Sequence, residues 1–221
     1  GSSDWAYYFL SQIFVIISFF IIWRFSYELL ENKNLSFFAV LLLEGIYFYN
    51  FTTPEFNVNV CQLPFWTLTV YYSWKVYSKQ NIDIKDCVLL GVFAALGFLS
   101  KYLFIYLLIS IDLLFFYLIF IKKDRNFNLN YLICLIVFII LIIPHFIWLK
   151  SNDYITITYA LHRTGLSESS FIDHVKYPLI FLAKQIGILI PFFILSLFIV
   201  SKLKFNLKLK DKKLFFLLTV N

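Results

Sequence analysis

Apolar runs close to the ~20 residues needed to cross a bilayer recur along this chain, and no other feature constrains its fold as strongly. Short connectors separate them and hold most of the lysine and arginine. An ordinary soluble domain cannot absorb so many such runs. Of the 221 residues 61% are hydrophobic and 14% charged, whereas soluble domains run at about 45–50% and about 25%. A transmembrane barrel would alternate apolar and polar residues in short segments, and no such alternation is present. The expected fold is all-α, a polytopic transmembrane helical bundle of about seven to eight spans.

The spans fall near 5–23, 35–49, 60–74, 87–99, 102–121, 129–149 and 178–200, and an eighth opens after the lysine-rich stretch 202–213. They are read as one transmembrane domain over residues 1–221. The chain lacks an initial Met and stops soon after its last apolar run opens, so a fragment of a longer protein is expected. Gly1–Trp5 carries neither the basic n-region nor the small-residue cleavage site of a signal peptide.

Alternating the sides of the membrane from an outer N-terminus puts the connectors after the first, third, fifth and seventh spans together. These hold most of the positive charge, which marks a cytoplasmic face. The net charge of +6 is thereby explained by topology rather than by nucleic acid. The opposite, outer face then collects three loops: the polar island Asn50–Asn59, the turn Ser100-Lys101, and the long polar segment Lys150–Tyr177.

Cys61, Cys87 and Cys134 lack metal-ligand spacing and read as small apolar residues. Gly91, Ala94, Ala95 and Gly97 form a small-residue face that lets a neighbouring backbone approach. The fourth span is short for a full crossing, so Lys101 is expected somewhat inside the outer surface. Trp5, Tyr7, Tyr47, Tyr49, Trp148 and Tyr154 cluster at span ends as an interfacial aromatic belt.

Several residues could carry chemistry. Thr52-Thr53-Pro54-Glu55 fits a helix start, with a Thr cap, Pro in the first turn and an acid favoured by the helix dipole. Glu55 is equally a functional acid, since an acid held there is well positioned. Lys101 reads as a snorkelling lysine or as a point charge for a phosphate. His162 and His174 lie in the long outer segment near Arg163, Glu168 and Asp173, at a spacing that matches no standard metal motif. They read as loop histidines or as ligands. His145 follows Pro144 inside a span, where an ionisable group is functional by default or is satisfied by a carbonyl that the proline frees. Glu44, Asp112 and Lys184 also fall within spans, with Lys184 close enough to the outer end to snorkel outward and Asp112 without an assigned partner.

The run L-L-L-E-G-I-Y-F-Y-N-F-T-T-P-E-F-N, the run L-L-G-V-F-A-A-L-G-F-L-S-K-Y, and the segments P-H-F-I-W-L and Y-A-L-H-R together resemble bacterial lipid-linked glycosyltransferases of the GT-C type. These are relatives of the dolichyl-phosphate-mannose protein mannosyltransferases and of the lipid A aminoarabinose transferase. The likeness covers most of the chain, and G-F-L-S-K-Y is its most specific part. It implies a bacterial cytoplasmic-membrane enzyme that moves a sugar, with inversion, from a polyprenyl-phosphate donor to a lipid, glycan or protein acceptor outside. Under this resemblance Glu55 and Lys101 lie at the catalytic centre and Lys101 with Arg163 faces the donor phosphate. His162 and His174 match the loop that in some relatives holds a divalent metal. The Asp usually assigned as general base would lie before Gly1, and Glu55 stands where Asp is commoner. Two other classes remain open, a lipid or solute transporter lined by Glu44, Asp112 and Lys184, and a non-catalytic membrane subunit.

Overall fold

The computed structural model describes residues 4–79, 81–123, 128–163, 171–202 and 211–220. Among these residues the regular structure is entirely helical. Helix α1 spans Asp4–Leu30, α2 Lys33–Glu44, the single turn α3 Tyr47–Asn50, α4 Val58–Ser78 and α5 Ile84–Ser100. A 3-10 turn over Tyr102–Phe104 leads into α6, Ile105–Phe116, which ends in a π turn over Tyr117–Ile121. The chain continues as α7 Asn130–Ser151, α8 Ile155–Arg163, α9 Phe171–Lys202 and α10 Asp211–Val220.

Among the described residues four stretches are long and apolar enough to cross a membrane: Asp4–Leu30, Tyr102–Ile121, Asn130–Ser151 and Ile172–Ile199. Helices α2, α4 and α5 occupy three other expected spans, each for a different reason less apolar or shorter. In α2 the run breaks after 12 residues at Gly45, where an added Cβ would lie 2.8 Å from Cα of Phe192 on α9. In α4 the polar side chains of Gln62, Thr67, Thr69 and Ser73 are buried inside the bundle, and Ser73 donates to the Thr69 carbonyl at 2.8 Å. α5 has 17 residues.

The main core is aromatic. Phe216 of α10 is fully buried against Trp74 and Tyr77 of α4 and Phe25 of α1, with Leu107, Ile111, Leu114 and Leu118 packing beside it. Close packing of α5 on α7 depends on the small-residue face expected there: a Cβ on Gly91 would meet the Cys134 carbonyl oxygen at 2.5 Å. Burying apolar side chains at this density is what holds such a bundle together, because packing rather than the hydrophobic effect drives helix association in lipid. By contrast α7 and α9 turn long rows of Ile, Leu and Phe outward, which suits them to face acyl chains.

The connectors sort to two ends of the bundle. At one end Glu28 accepts from Lys75 Nζ and from the Tyr71 hydroxyl, both at 2.7 Å, while Arg24 Nε donates to that hydroxyl at 3.3 Å. Lys79 pairs with Asp86 at 2.5 Å, and Lys213 with Glu31 at 2.8 Å and with the Leu29 carbonyl at 2.6 Å. Lys212 donates to the Ser78 carbonyl, Asn130 to the Ile82 carbonyl, and Lys122 lies over the Phe215 ring. The described parts of the connectors that sequence alternation groups together, those after the first, third, fifth and seventh spans, thus meet at a basic end. The polar island, the Ser100-Lys101 turn and the start of α8 meet at the other.

Candidate active site

The island end is built on the turn between α5 and α6. Helix α5 stops at Ser100, whose hydroxyl donates to the Leu96 carbonyl at 2.8 Å, and the Lys101 amide closes the helix on the Gly97 carbonyl at 3.2 Å. Phe104, fully buried, then folds back over Gly97: a Cβ there would lie 2.3 Å from the ring. Only hydrogen fits at position 97, so G-F-L-S-K-Y specifies a tight turn in physical terms. Its product is a lysine held at the lip of the bundle. Lys101 Nζ donates to Asn59 Oδ1 at 2.7 Å. That partner is a neutral amide, and among the described residues Lys101 forms no ion pair, so its positive charge stays uncompensated.

Asn59 belongs to the first turn of α4, at the edge of the island. Sequence pattern expects a helix start at Thr52–Glu55; the structure moves it to Val58. Asn57 is the cap, its side-chain oxygen accepting from the amides of Asn59 at 2.9 Å and Val60 at 3.3 Å. The two threonines spend their hydroxyls backward instead, Thr52 on the Phe48 carbonyl and Thr53 on the Asn50 carbonyl. Glu55 therefore lies in the loop ahead of the cap, exposed, with its backbone carbonyl bonded by Asn57 Nδ2 at 3.1 Å. The helix-start account of this acid does not hold. The loop itself is fixed from below, because the Ser11 hydroxyl of α1 donates to the buried Thr53 carbonyl and Phe14 meets Phe56 edge-on at 5.0 Å.

The residue after the lysine ties in the third segment. The Tyr102 hydroxyl lies 2.6 Å from His145 Nε2 and 2.9 Å from the Thr156 hydroxyl. His145 is satisfied by this phenol rather than by a carbonyl that Pro144 frees, and its ring stacks on Trp148 with centroids 5.9 Å apart. Thr156 stands in the first turn of α8, which begins after the left-handed residues Asp153 (φ 50°) and Tyr154 (φ 54°). The stretch expected as a polar loop over Lys150–Tyr177 is in fact helical over α8 and again from Phe171. Tyr102, Thr156 and Asn59 were not singled out by sequence reasoning. Tyr102 lay inside the most specific motif, and an aromatic hydroxyl beside a cation was the signal available.

His162 and His174 are exposed on α8 and α9. The side chain of Arg163 and all of Glu168 lie outside the described residues. Among the described residues no three of His, Cys, Asp and Glu gather as a metal-binding group. Glu44 and Lys184 share a cleft between α2–α3 and α9, which Asp112 on α6 does not line.

A family model for dolichyl-phosphate-mannose-protein mannosyltransferases matches residues 1–148, well over half of the chain. The chain belongs to this family. Membership makes it a membrane glycosyltransferase of the GT-C type. The matched region holds the polar island, Lys101, Tyr102 and His145, whereas α8 and α9 lie beyond it. No curated protein and no solved structure matches the chain.

Proposed function

We propose that this mannosyltransferase-family protein moves a sugar from a polyprenyl-phosphate donor to an acceptor hydroxyl at the outer face of a bacterial cytoplasmic membrane. The carrying observation is Lys101: a cation fixed on a neutral amide at 2.7 Å, beside a loop that bears an exposed carboxylate. A charge already neutralised by a carboxylate would have little left for a ligand. A charge held by an amide keeps its full attraction for a phosphate.

In the reaction the acceptor oxygen attacks the anomeric carbon while the bond from that carbon to the phosphate oxygen breaks. The electron pair leaves with the phosphate, the configuration inverts, and the acceptor proton passes to a carboxylate base. Lys101 meets the charge that grows on the departing phosphate, an interaction stronger in the transition state than before it. Glu55 accepts hydrogen bonds from sugar hydroxyls and sets the anomeric carbon in line. Arg163 joins Lys101 on the phosphate. Tyr102, anchored to His145 and Thr156, keeps the lysine backbone from shifting as the lipid enters.

The test is turnover of a polyprenyl-phosphate sugar by the reconstituted protein and its Lys101→Ala and Lys101→Arg variants. Loss of one preorganised charge of this kind costs about 10²–10³ in rate. Lys101→Ala should fall by that factor, with Lys101→Arg recovering part of it. Unchanged turnover in Lys101→Ala would remove the lysine from the reaction.

A further inference from the structure

Away from the Lys101 site, a cleft of about 350 Å³ opens between α2–α3 and α9. Its walls are mostly apolar, from Phe51, Ile188 and Pro191, with Gly45 and Gly187 leaving room at its floor. Two opposite charges face into it: Glu44 from the end of α2 and Lys184 from the middle of α9. Both side chains are exposed, they make no ion pair with each other, and neither has another side-chain partner among the described residues.

Depth fits this arrangement to lipid. Lys184 stands six residues past Pro178, where the seventh apolar run opens, which at ~1.5 Å per residue is ~9 Å along the helix. Glu44 ends α2 six residues before Asn50 of the polar island, whose Nδ2 donates to the Glu44 carbonyl at 3.3 Å. Both positions lie toward the island end of the apolar layer, within reach of lipid headgroups. Ionisable groups within spans face a cavity or water and pair with something. Lys184, close enough to the outer end to snorkel, lines this cleft with Glu44. Two charges of opposite sign, separated across an apolar slot, are complementary to a molecule carrying both an anion and a cation on an apolar tail.

We infer that this cleft binds a zwitterionic phospholipid headgroup, its phosphate on Lys184 and its protonated amine on Glu44, with an acyl chain along α9 against Ile188 and Pro191. The Tyr47 ring closes the side of the slot. The outward apolar row on α9, including Phe181, Ile190 and Ile194, continues the surface on which that chain lies. The lipid is distinct from the sugar donor, and the binding does not depend on transfer activity.

Native mass spectrometry of the detergent-solubilised protein tests this, with phosphatidylethanolamine and phosphatidylglycerol added in equal amounts. Phosphatidylethanolamine should remain bound in preference to phosphatidylglycerol, which lacks the amine. Lys184→Gln should lower retention of both by about tenfold or more, the scale of one charge-assisted hydrogen bond, and Lys184→Arg should restore it. Glu44→Gln should abolish the preference for the amine while leaving phosphatidylglycerol retention in place. Soluble glycerophosphoethanolamine, which has the same headgroup and no acyl chains, should fail to displace the lipid. Equal retention of both lipids by wild type and all three variants would overturn the assignment. So would displacement by the soluble headgroup at matched concentration, which would make this a phosphate pocket rather than a lipid site.

Discussion

The two ends of the bundle use lysine in opposite ways. At the basic end three lysines are held by carboxylates: Lys75 on Glu28, Lys79 on Asp86, and Lys213 on Glu31 as well as the Leu29 carbonyl. At the island end Lys101 rests on an amide, and the exposed Glu55 has no ion pair among the described residues. The first pattern ties helix ends together. The second leaves charge available. Ion pairs that cross-link helices are spent on structure, so the unspent charges are the better guide to where a ligand sits.

The sharpest way to break this comparison is to reverse the sign at the island end. Lys101→Glu should depress sugar transfer below the level of Lys101→Ala, because a carboxylate repels the leaving phosphate, while thermal unfolding in detergent stays close to wild type. If Lys101→Glu unfolds the protein, the lysine is structural and the contrast between the ends disappears. Next in size is Gly97→Ala. A methyl group driven into the Phe104 ring at 2.3 Å forces the turn open, costing about 1–3 kcal/mol of stability and lowering turnover through misplacement of Lys101. At the basic end Glu28→Gln should destabilise by about 1–2 kcal/mol, since the Lys75 and Tyr71 partners at 2.7 Å lose a charged acceptor. Turnover per folded molecule should not change there. A fall in turnover matching Lys101→Ala would show that the two ends do not divide the work as described. The smallest effect is expected from Asn59→Ala. Freed from its amide, Lys101 should hold the donor less well, raising KM by several-fold with little change in kcat, equivalent to about 1 kcal/mol.

Sequence reasoning reached the helical membrane fold, the grouping of connectors at two ends, and the packing role of Gly91 and Gly97, because each leaves a periodic or compositional trace. Lys101 was legible for the same reason, standing at the end of an apolar run after small residues. The start of α4 was not. Thr52, Thr53, Pro54 and Glu55 have the right types for a helix start, but Asn57, four residues after Thr53, competes for the cap and wins by bonding the amides of Asn59 and Val60. The break in α2 was hard to read because apolar residues resume directly after Glu44 and Gly45, and the approach of Phe192 from α9, which leaves no room for a Cβ at Gly45, is not written in the local sequence. The contact of Tyr102 with Thr156 joins residues 54 apart, and no spacing rule reports such a pair. The cleft shared by Glu44 and Lys184 is of the same kind: each charge was visible in its own span, their meeting was not.

Adjacent residues in a chain are held ~3.8 Å apart between Cα atoms by the peptide bond itself. Lys101 grips α4 through Asn59, and Tyr102 grips α7 and α8 through His145 and Thr156. One dipeptide is consequently a rivet through three plates. Neither the α4 edge nor the α7–α8 corner can slide away from the other without breaking one of these hydrogen bonds, so the spacing between them is set at a single stitch in the backbone.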